Sequence, residues 1–275
     1  MKSSNSLLVL GLDSYYEMLP KHLKNGSIDK AIFNFNKQVI DATQGYVVGF
    51  KLNYVCYSSF GINGLIALEK TNKYIHKKYP SCAVILDCKK DENIGEYRYM
   101  AKKEVFDWLG ADIVTVLPWM GSDALEVFLE DEEKGVLLIC RNSNPSAAQL
   151  QDLKVKGKPL YQVCAELVMK KNWGKKGNLL IEAPVNFPEA LKKIRKAVGE
   201  EIIILTVGVG GQGGKLEDIK YGMNKNGGNL LLNKGKAIIF ASSGRDFATV
   251  AAIMAKDLRG KINILREKKR AYQSI

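Results

Sequence analysis

The stretch VILDCKKDENIG, residues 84–95, decides how the fold of this chain is interpreted. It begins as a continuous apolar run, which predicts a strand buried on both faces. It then places five charged side chains close together: Asp87, Lys89, Lys90, Asp91 and Glu92. A buried strand that ends in a charged cluster is expected in a parallel sheet whose functional groups follow its strands.

Similar apolar runs recur along the whole chain. Eight of them have the length of strands, at 7–13, 46–53, 83–89, 112–118, 135–141, 178–183, 202–208 and 229–233. Amphipathic segments of helical period lie between and after them, at 28–43, 62–78, 95–109, 122–130, 159–172, 188–198, 216–224 and 244–260. Eight alternating units predict an α/β protein with a single (β/α)8 barrel domain over residues 1–275.

Composition limits the classes of function. The chain has 46% hydrophobic and 25% charged residues and a net charge of +12, from 41 basic and 29 acidic residues. The charge fits nucleic acid, an anionic membrane or a phosphorylated substrate, or only a solvated lysine-rich surface. Because no run of five basic residues occurs and the aromatics do not alternate with Arg or Lys, nucleic-acid binding is not favoured.

Cysteine usage and the N-terminal sequence indicate the cellular compartment in which the protein is expected. Five cysteines show no CxxC spacing, so neither a disulfide framework nor a zinc site is indicated. The first apolar run is too short for a signal peptide, and no run reaches the length of a membrane span. We therefore expect a cytoplasmic protein that does not enter a membrane.

A barrel places its functional groups at the carboxyl ends of its strands. Polar residues and glycines do follow the predicted strands, in this order: Asp13; Lys51 and Asn53; Asp87 and Lys89; Arg141, Asn142 and Ser143; Glu182 and Asn186; Gly208 to Gly214 with Gln212; Asn233 and Lys236. These positions are the candidate site.

The charged cluster has a specific chemical use. Side chains alternate along a strand, so Asp87 and Lys89 are expected on one face, and Lys51 from the neighbouring strand could join them. A carboxylate holds a nearby lysine protonated, which suits protonation of a carbanion formed when an anionic group leaves. The alternative is a structural network of ion pairs at the barrel rim.

A glycine-rich segment offers an anion site. VGVGGQGG, residues 207–214, ends a strand and precedes the helical pattern KLEDIKYGM. Backbone N–H groups and a helix N-terminus there could bind phosphate, and Lys234 and Lys236 follow the next strand. The alternative is a simple turn.

Taken together, these motifs resemble the orotidine 5′-phosphate decarboxylase family. The resemblance rests on GLD (11–13), FKLN (50–53), LDCKK (86–90), NSNP (142–145), GVGGQGG (208–214) and NKGKAIIFASSG (233–244), and covers about residues 7–260. It implies conversion of orotidine 5′-monophosphate to uridine 5′-monophosphate without a metal or other cofactor. It also implies a homodimer whose sites are completed across the interface.

The resemblance assigns roles to individual residues. Lys89 would donate the proton to C6 of the pyrimidine, and Lys51 and Asp87 would form the charged network, with Asp87 against the substrate carboxylate. Substrate binding would fall to Asp13 at the ribose, Ser143 at the pyrimidine edge, and Gln212 with the glycine backbone at the phosphate. The substrate-binding set is Asp13, Asn53, Ser143, Pro184, Gly210, Gln212, Gly213 and Lys236.

The opening stretch departs from the family pattern. The family has an Asp three residues after the catalytic Lys, followed at once by Ile-Gly. Counting forward from Lys89 gives Glu92, whereas counting back from Ile94 gives Asn93, because this chain has one extra residue. Asp91 or Glu92 could supply the charge that Asn93 lacks, and the sequence leaves the choice open.

Three further differences concern the same substrate. Tyr97 stands where the family has Thr, Lys236 replaces a phosphate-binding Arg, and Pro184-Val185-Asn186 replaces Gly-Ala-Thr. Three hypotheses follow: an active decarboxylase with a rebuilt loop, a related sugar-phosphate decarboxylase, and a catalytically impaired descendant that binds a nucleotide or a polyanion.

Overall fold

The computed structural model of the protein describes residues 5–90, 92, 95–171, 173–174 and 176–271. Its strands are β1 (Leu8–Gly11), β2 (Gly49–Asn53), β3 (Ala83–Lys90), β4 (Ile113–Val116), β5 (Gly135–Ile139), β6 (Lys154–Val155), β7 (Lys158–Pro159), β8 (Leu179–Pro184), β9 (Ile204–Val207) and β10 (Leu230–Lys234).

Its α-helices are α1 (Ile28–Thr43), α2 (Tyr54–Ser58), α3 (Gly61–Lys78), α4 (Glu96–Lys102), α5 (Ser122–Leu129), α6 (Ala148–Gln151), α7 (Leu160–Lys170), α8 (Pro188–Val198), α9 (Lys236–Ile239) and α10 (Phe247–Ala271). A π-helical turn, Lys103–Trp108, continues α4. Short 3₁₀ segments cover Tyr16–Met18, Lys21–Leu23, Gln44–Tyr46, Pro145–Ala147 and Leu216–Tyr221.

Eight of the strands form a closed barrel in the order β1-β10-β9-β8-β5-β4-β3-β2. Each of them overlaps one predicted strand, and β3, β8 and β10 extend one residue beyond the predicted end, so the prediction of a (β/α)8 barrel is confirmed. The remaining pair, β6 and β7, is a two-stranded antiparallel hairpin. Strands such as β5 and β8 are buried along their whole length, which explains their continuous apolar sequences.

The chain divides into two compact units, and the extent of a single domain over residues 1–275 stays a prediction. The first unit comprises Met1–Cys88, Lys102–Val114 and Asn233–Lys261. In it β1, β2 and β3 pair in parallel, with Gly11 opposite Lys51 and Asn53 opposite Asp87. Phe35 of α1 stacks between two aromatic rings, Phe240 at 5.4 Å and Phe247 at 5.0 Å.

The second unit comprises Lys89–Ala101, Thr115–Leu232 and Ile262–Ile275. Its strands β5, β8, β9 and β10 pair in parallel, with Ile139 opposite Glu182 and Pro184 opposite Val207. The buried guanidinium of Arg195 on α8 donates to four backbone carbonyls, those of Gly199, Ile202, Gly222 and Asn229, at 2.6–2.8 Å. This clamp holds segments that lead into β9 and β10.

No helix among the described residues is long and apolar enough to cross a membrane.

Candidate active site

In the first unit, a buried ion pair joins the ends of β2 and β3. Lys51 Nζ donates to Asp87 Oδ2, and the two residues are only 5% and 7% exposed. A lysine and a carboxylate removed from water stay charged only when each has such a partner. The structure therefore brings together the two members of the predicted charged network that this unit contains.

Asn53 lies opposite Asp87 in the strand register. Its side-chain oxygen accepts a hydrogen bond from the backbone N–H of Val55 at 3.2 Å and so caps the short helix α2. Asn53, which was predicted to bind substrate, thus caps a helix, and sequence reasoning missed this role.

Asp13 follows β1, and a buried polar network holds the backbone on either side of it. Tyr57 donates from its hydroxyl to the carbonyl of Leu12 at 2.7 Å, and Ser14 donates to Asn36 Oδ1 at 2.5 Å. Asn36 in turn donates to the Tyr57 hydroxyl at 3.0 Å. These groups are separated in sequence by 21 to 45 residues, so nothing in the local pattern of residues 11–13 indicated them.

Two neutral groups stand beside Asp13. Neighbouring Cys56, burial and Asp13 raise the pKa of Tyr15 to about 12. Burial, followed by the charge of Asp13, raises the pKa of the Cys56 thiol to about 11. Both groups are protonated near neutral pH, which makes them hydrogen-bonding groups rather than bases or nucleophiles.

Lys236 is exposed at the start of α9, and only Gly235 separates it from the end of β10. Its Nζ lies 5.6 Å from the centre of the Tyr15 ring, within the range of a cation–π contact. Gly235 before it approaches Gly11 so closely that a Cβ on Gly235 would lie 3.0 Å from the Gly11 carbonyl oxygen. This close approach brings the chain after β10 next to the end of β1.

Lys89 departs from the expected strand geometry. Its φ is +50°, in the left-handed region that a lysine rarely adopts, and its side chain is exposed. Its backbone N–H donates to Thr115 Oγ1 at 2.8 Å, which holds the residue in that conformation. The simple alternation behind the prediction of Asp87 and Lys89 on one face assumes a regular extended backbone, and β3 departs from it at Lys89 although the strand continues to Lys90. Non-glycine residues in sparsely populated conformations cluster at functional sites.

The residues after β3 are described in part. Glu92 is half-buried. The other two candidates for the missing acidic group, Asp91 and Asn93, lie outside the described residues.

In the second unit, the loop after β5 carries Ser143 and is held by side chains. The buried Arg141 makes a bidentate pair with Asp152, at 2.9 Å from both Nε and Nη2, and its guanidinium lies 3.6 Å from the centre of the Phe187 ring. Gln151 Oε1 accepts from the backbone N–H of Asn142 at 2.8 Å. These contacts place Ser143 directly after a rigid anchor.

The glycine-rich loop after β9 closes on itself. Backbone N–H groups of Gly210, Gly213 and Gly214 donate to the carbonyls of Gly214, Gly210 and Gly208 at 2.7–3.0 Å. Three glycines have positive φ: Gly208 at +99°, Gly210 at +77° and Gly213 at +84°. The tip, Gly210 to Gly213 with Gln212, is exposed, and Pro184 at the end of β8 is buried.

One part of the anion-site prediction was wrong. The segment after this loop is a six-residue 3₁₀ helix, Leu216–Tyr221, and not the expected α-helix over 216–224. A 3₁₀ segment of this length contributes little dipole, so an anion here would depend on the glycine backbone and on side chains.

Over the described ranges, no group of three or more His, Cys, Asp or Glu side chains is arranged to hold a metal ion.

The fold and these side chains define a (β/α)8 barrel with an acid–base pair at its strand ends and a glycine-rich turn after β9. The family described as Orotidine 5'-phosphate decarboxylase / HUMPS family matches residues 6–249, and the chain belongs to that family.

Comparison with individual proteins points to the same family. The chain is 38% identical over 265 residues to orotidine 5'-phosphate decarboxylase of Cellvibrio japonicus, covering 96% of this chain and 95% of that protein. It resembles the structure of OMP decarboxylase of Leishmania donovani with a TM-score of 0.81 and 26% identity, over 96% and 95% of the two chains. It resembles UMP synthase of the same organism with a TM-score of 0.83 and 28% identity, over 95% of this chain but only 54% of that chain.

Proposed function

We propose that this protein decarboxylates orotidine 5′-monophosphate to uridine 5′-monophosphate, a step of pyrimidine biosynthesis. The observation that carries the proposal is the buried Lys51–Asp87 pair in a chain of this family. Such a pair favours the charged forms of both groups, and a positive charge at this position would stabilise a carbanion formed in the reaction.

The proposed reaction needs no electron acceptor. The bond between C6 and the substrate carboxylate breaks, carbon dioxide leaves, and the electron pair stays on C6. Lys89 then transfers a proton from Nζ to C6 and regains a proton from water. Asp87 beside the substrate carboxylate repels it in the ground state, and loss of carbon dioxide relieves that repulsion.

Two features of Lys89 suit the role of proton donor. Its side chain is exposed, and its backbone is anchored by Thr115 at 2.8 Å. An anchored backbone with an exposed ammonium group allows Nζ to approach a bound pyrimidine without moving the strand.

The substrate-binding roles follow the family motifs. Asp13 is assigned to the ribose and Ser143 to the pyrimidine edge. The exposed Gln212, with the backbone of Gly210 and Gly213, is assigned to the phosphate together with Lys236. Asn53 and Pro184 are proposed to line the substrate, and no metal or organic cofactor takes part.

We propose that one of Asp91, Glu92 and Asn93 takes the place of the family's loop Asp. We also propose a homodimer in the cytoplasm whose sites are completed across the interface. The exposed Tyr97 and Met100 on α4, 66% and 60% accessible, give this part of the chain apolar surface that a second copy could cover.

Product analysis tests the proposal. Purified protein is incubated with orotidine 5′-monophosphate in deuterated water, and the products are followed by NMR. We expect uridine 5′-monophosphate with deuterium at C6 and one equivalent of carbon dioxide. Unchanged substrate, in protein that binds a uridine 5′-monophosphate analogue, would contradict the proposal and favour the impaired descendant.

A further inference from the structure

Asn186 lies between two loops of the second unit. It follows β8, which pairs with β5 on one side and β9 on the other. Its Nδ2 donates to the backbone carbonyl of Ser143 at 2.8 Å, on the loop after β5. A single side chain from the middle strand thus holds the loop that carries Ser143.

The other end of the same amide faces the glycine-rich loop. A Cβ on Gly208 would lie 2.9 Å from Asn186 Oδ1 and 3.0 Å from Gln212 Oε1. Both side-chain oxygens therefore pack against the α-carbon of Gly208, which has a φ of +99°. The position of Asn186 is in this way coupled to the loop that carries Gln212.

The arrangement has an energetic cost. Asn186 Oδ1 is buried and accepts no hydrogen bond from the described residues. A buried carbonyl without a donor is unfavourable, so such a group in a native protein calls for an explanation. The hydrogen bond from Nδ2 to Ser143 and the contact of Oδ1 with Gly208 hold the amide in this position despite that cost.

We infer that Asn186 is a positioning residue that sets the separation between the Ser143 loop and the Gln212 loop, and thereby selects a pyrimidine nucleoside 5′-monophosphate. The inference rests on the proposed function, in which Ser143 contacts the base and Gln212 the phosphate. A ligand that carries both groups depends on this separation, whereas a ligand with only one of them does not.

Binding of a nucleotide and of its two fragments tests the inference. Affinities for uridine 5′-monophosphate, uridine and ribose 5-phosphate are measured by NMR titration in the wild type, Asn186→Ala and Asn186→Thr. Asn34→Ala, an exposed asparagine on α1, is the matched control. Thermal unfolding checks that each variant folds, and Asn186→Ser replaces any variant that does not.

We expect Asn186→Ala to weaken binding of uridine 5′-monophosphate about tenfold and to change binding of each fragment less than about twofold. The Thr variant should recover part of the loss, because its hydroxyl can still donate to the Ser143 carbonyl. Equal weakening of all three ligands, or no change for the nucleotide, would overturn the inference alone. A wild type that binds none of the three ligands would instead overturn the proposed function and this inference with it.

Discussion

Lys51 and Asp87, on neighbouring parallel strands, form an ion pair that is almost completely removed from solvent. Their backbones are offset along the strands, since Asn53 and not Lys51 is the register partner of Asp87. The lysine side chain therefore runs along β2 toward the carboxyl end of β3, where a functional group is expected in this fold.

This pair predicts separate effects on stability and on turnover. Lys51→Met leaves a buried carboxylate without its partner and should lower the free energy of unfolding by about 3 kcal/mol, measured by urea denaturation. Turnover should fall more than about a hundredfold, because Asp87 loses the charge that keeps it ionised and oriented. The double variant Lys51→Met/Asp87→Leu should recover stability but not turnover. Wild-type turnover in the double variant would contradict a catalytic role.

Lys236 is expected to act on substrate binding more than on chemistry. Lys236→Ala removes one charge from the proposed phosphate site and should raise KM for orotidine 5′-monophosphate about tenfold, with a smaller change in kcat. Lys236→Arg should leave KM near the wild-type value or lower it, since Arg can bind phosphate through two N–H groups. Lys256→Ala, an exposed lysine on α10, is the control. An unchanged KM in Lys236→Ala would rule out the phosphate contact.

The three candidates for the position of the family's Asp are not expected to contribute equally to catalysis. Asp91→Ala, Glu92→Ala and Asn93→Ala are compared in steady-state kinetics with Glu96→Ala, an exposed residue at the start of α4, as the control. We expect one of the three to lose at least about tenfold in kcat/KM, because the reaction needs a further charge near Lys89. Wild-type kinetics in all three would mean that no residue of this loop has replaced the family's Asp.

Replacement of Arg195 is expected to lower stability without changing turnover. Arg195→Met removes the hydrogen bonds to four buried or part-buried carbonyls and should lower the free energy of unfolding by about 3 kcal/mol. Lys192→Met, an exposed position on the same helix, should change stability by less than about 0.5 kcal/mol. Both variants should keep the turnover of the wild type at temperatures where they are folded. Equal stability of the two would show that the clamp contributes nothing.

The sequence predicted the regular parts of the barrel well because burial on both faces imposes continuous apolar runs. The helices at 28–43 and 188–198 have the bounds that their periodicity indicates. The hairpin of β6 and β7 was missed because its turn places Lys156 at φ +51° and Gly157 at +81°. Such a turn is normally marked by Asn or Asp before the glycine, and a lysine there gives no signal.

In the candidate site, the sequence predicted the contact between Lys51 and Asp87 but not the backbone conformation of Lys89. Lys51 and Asp87 could be selected because both lie near the carboxyl ends of predicted strands that are neighbours in the barrel. Lys89 lies in β3 as predicted, but its left-handed backbone was not predictable because the hydrogen bond that holds it comes from Thr115, 26 residues away. The helix after the glycine-rich loop became a short 3₁₀ segment in which Ile219 is the buried residue, so it has no apolar stripe that would extend it.

The most direct test of the account is the loss of orotidine 5′-monophosphate absorbance with purified wild type, Lys89→Ala and Lys90→Ala. The two lysines are adjacent in β3, so general effects of removing a positive charge are matched. The account predicts turnover in the wild type, its loss by at least about a thousandfold in Lys89→Ala, and near wild-type turnover in Lys90→Ala. Absence of turnover in the wild type, or equal turnover in wild type and Lys89→Ala, would contradict it.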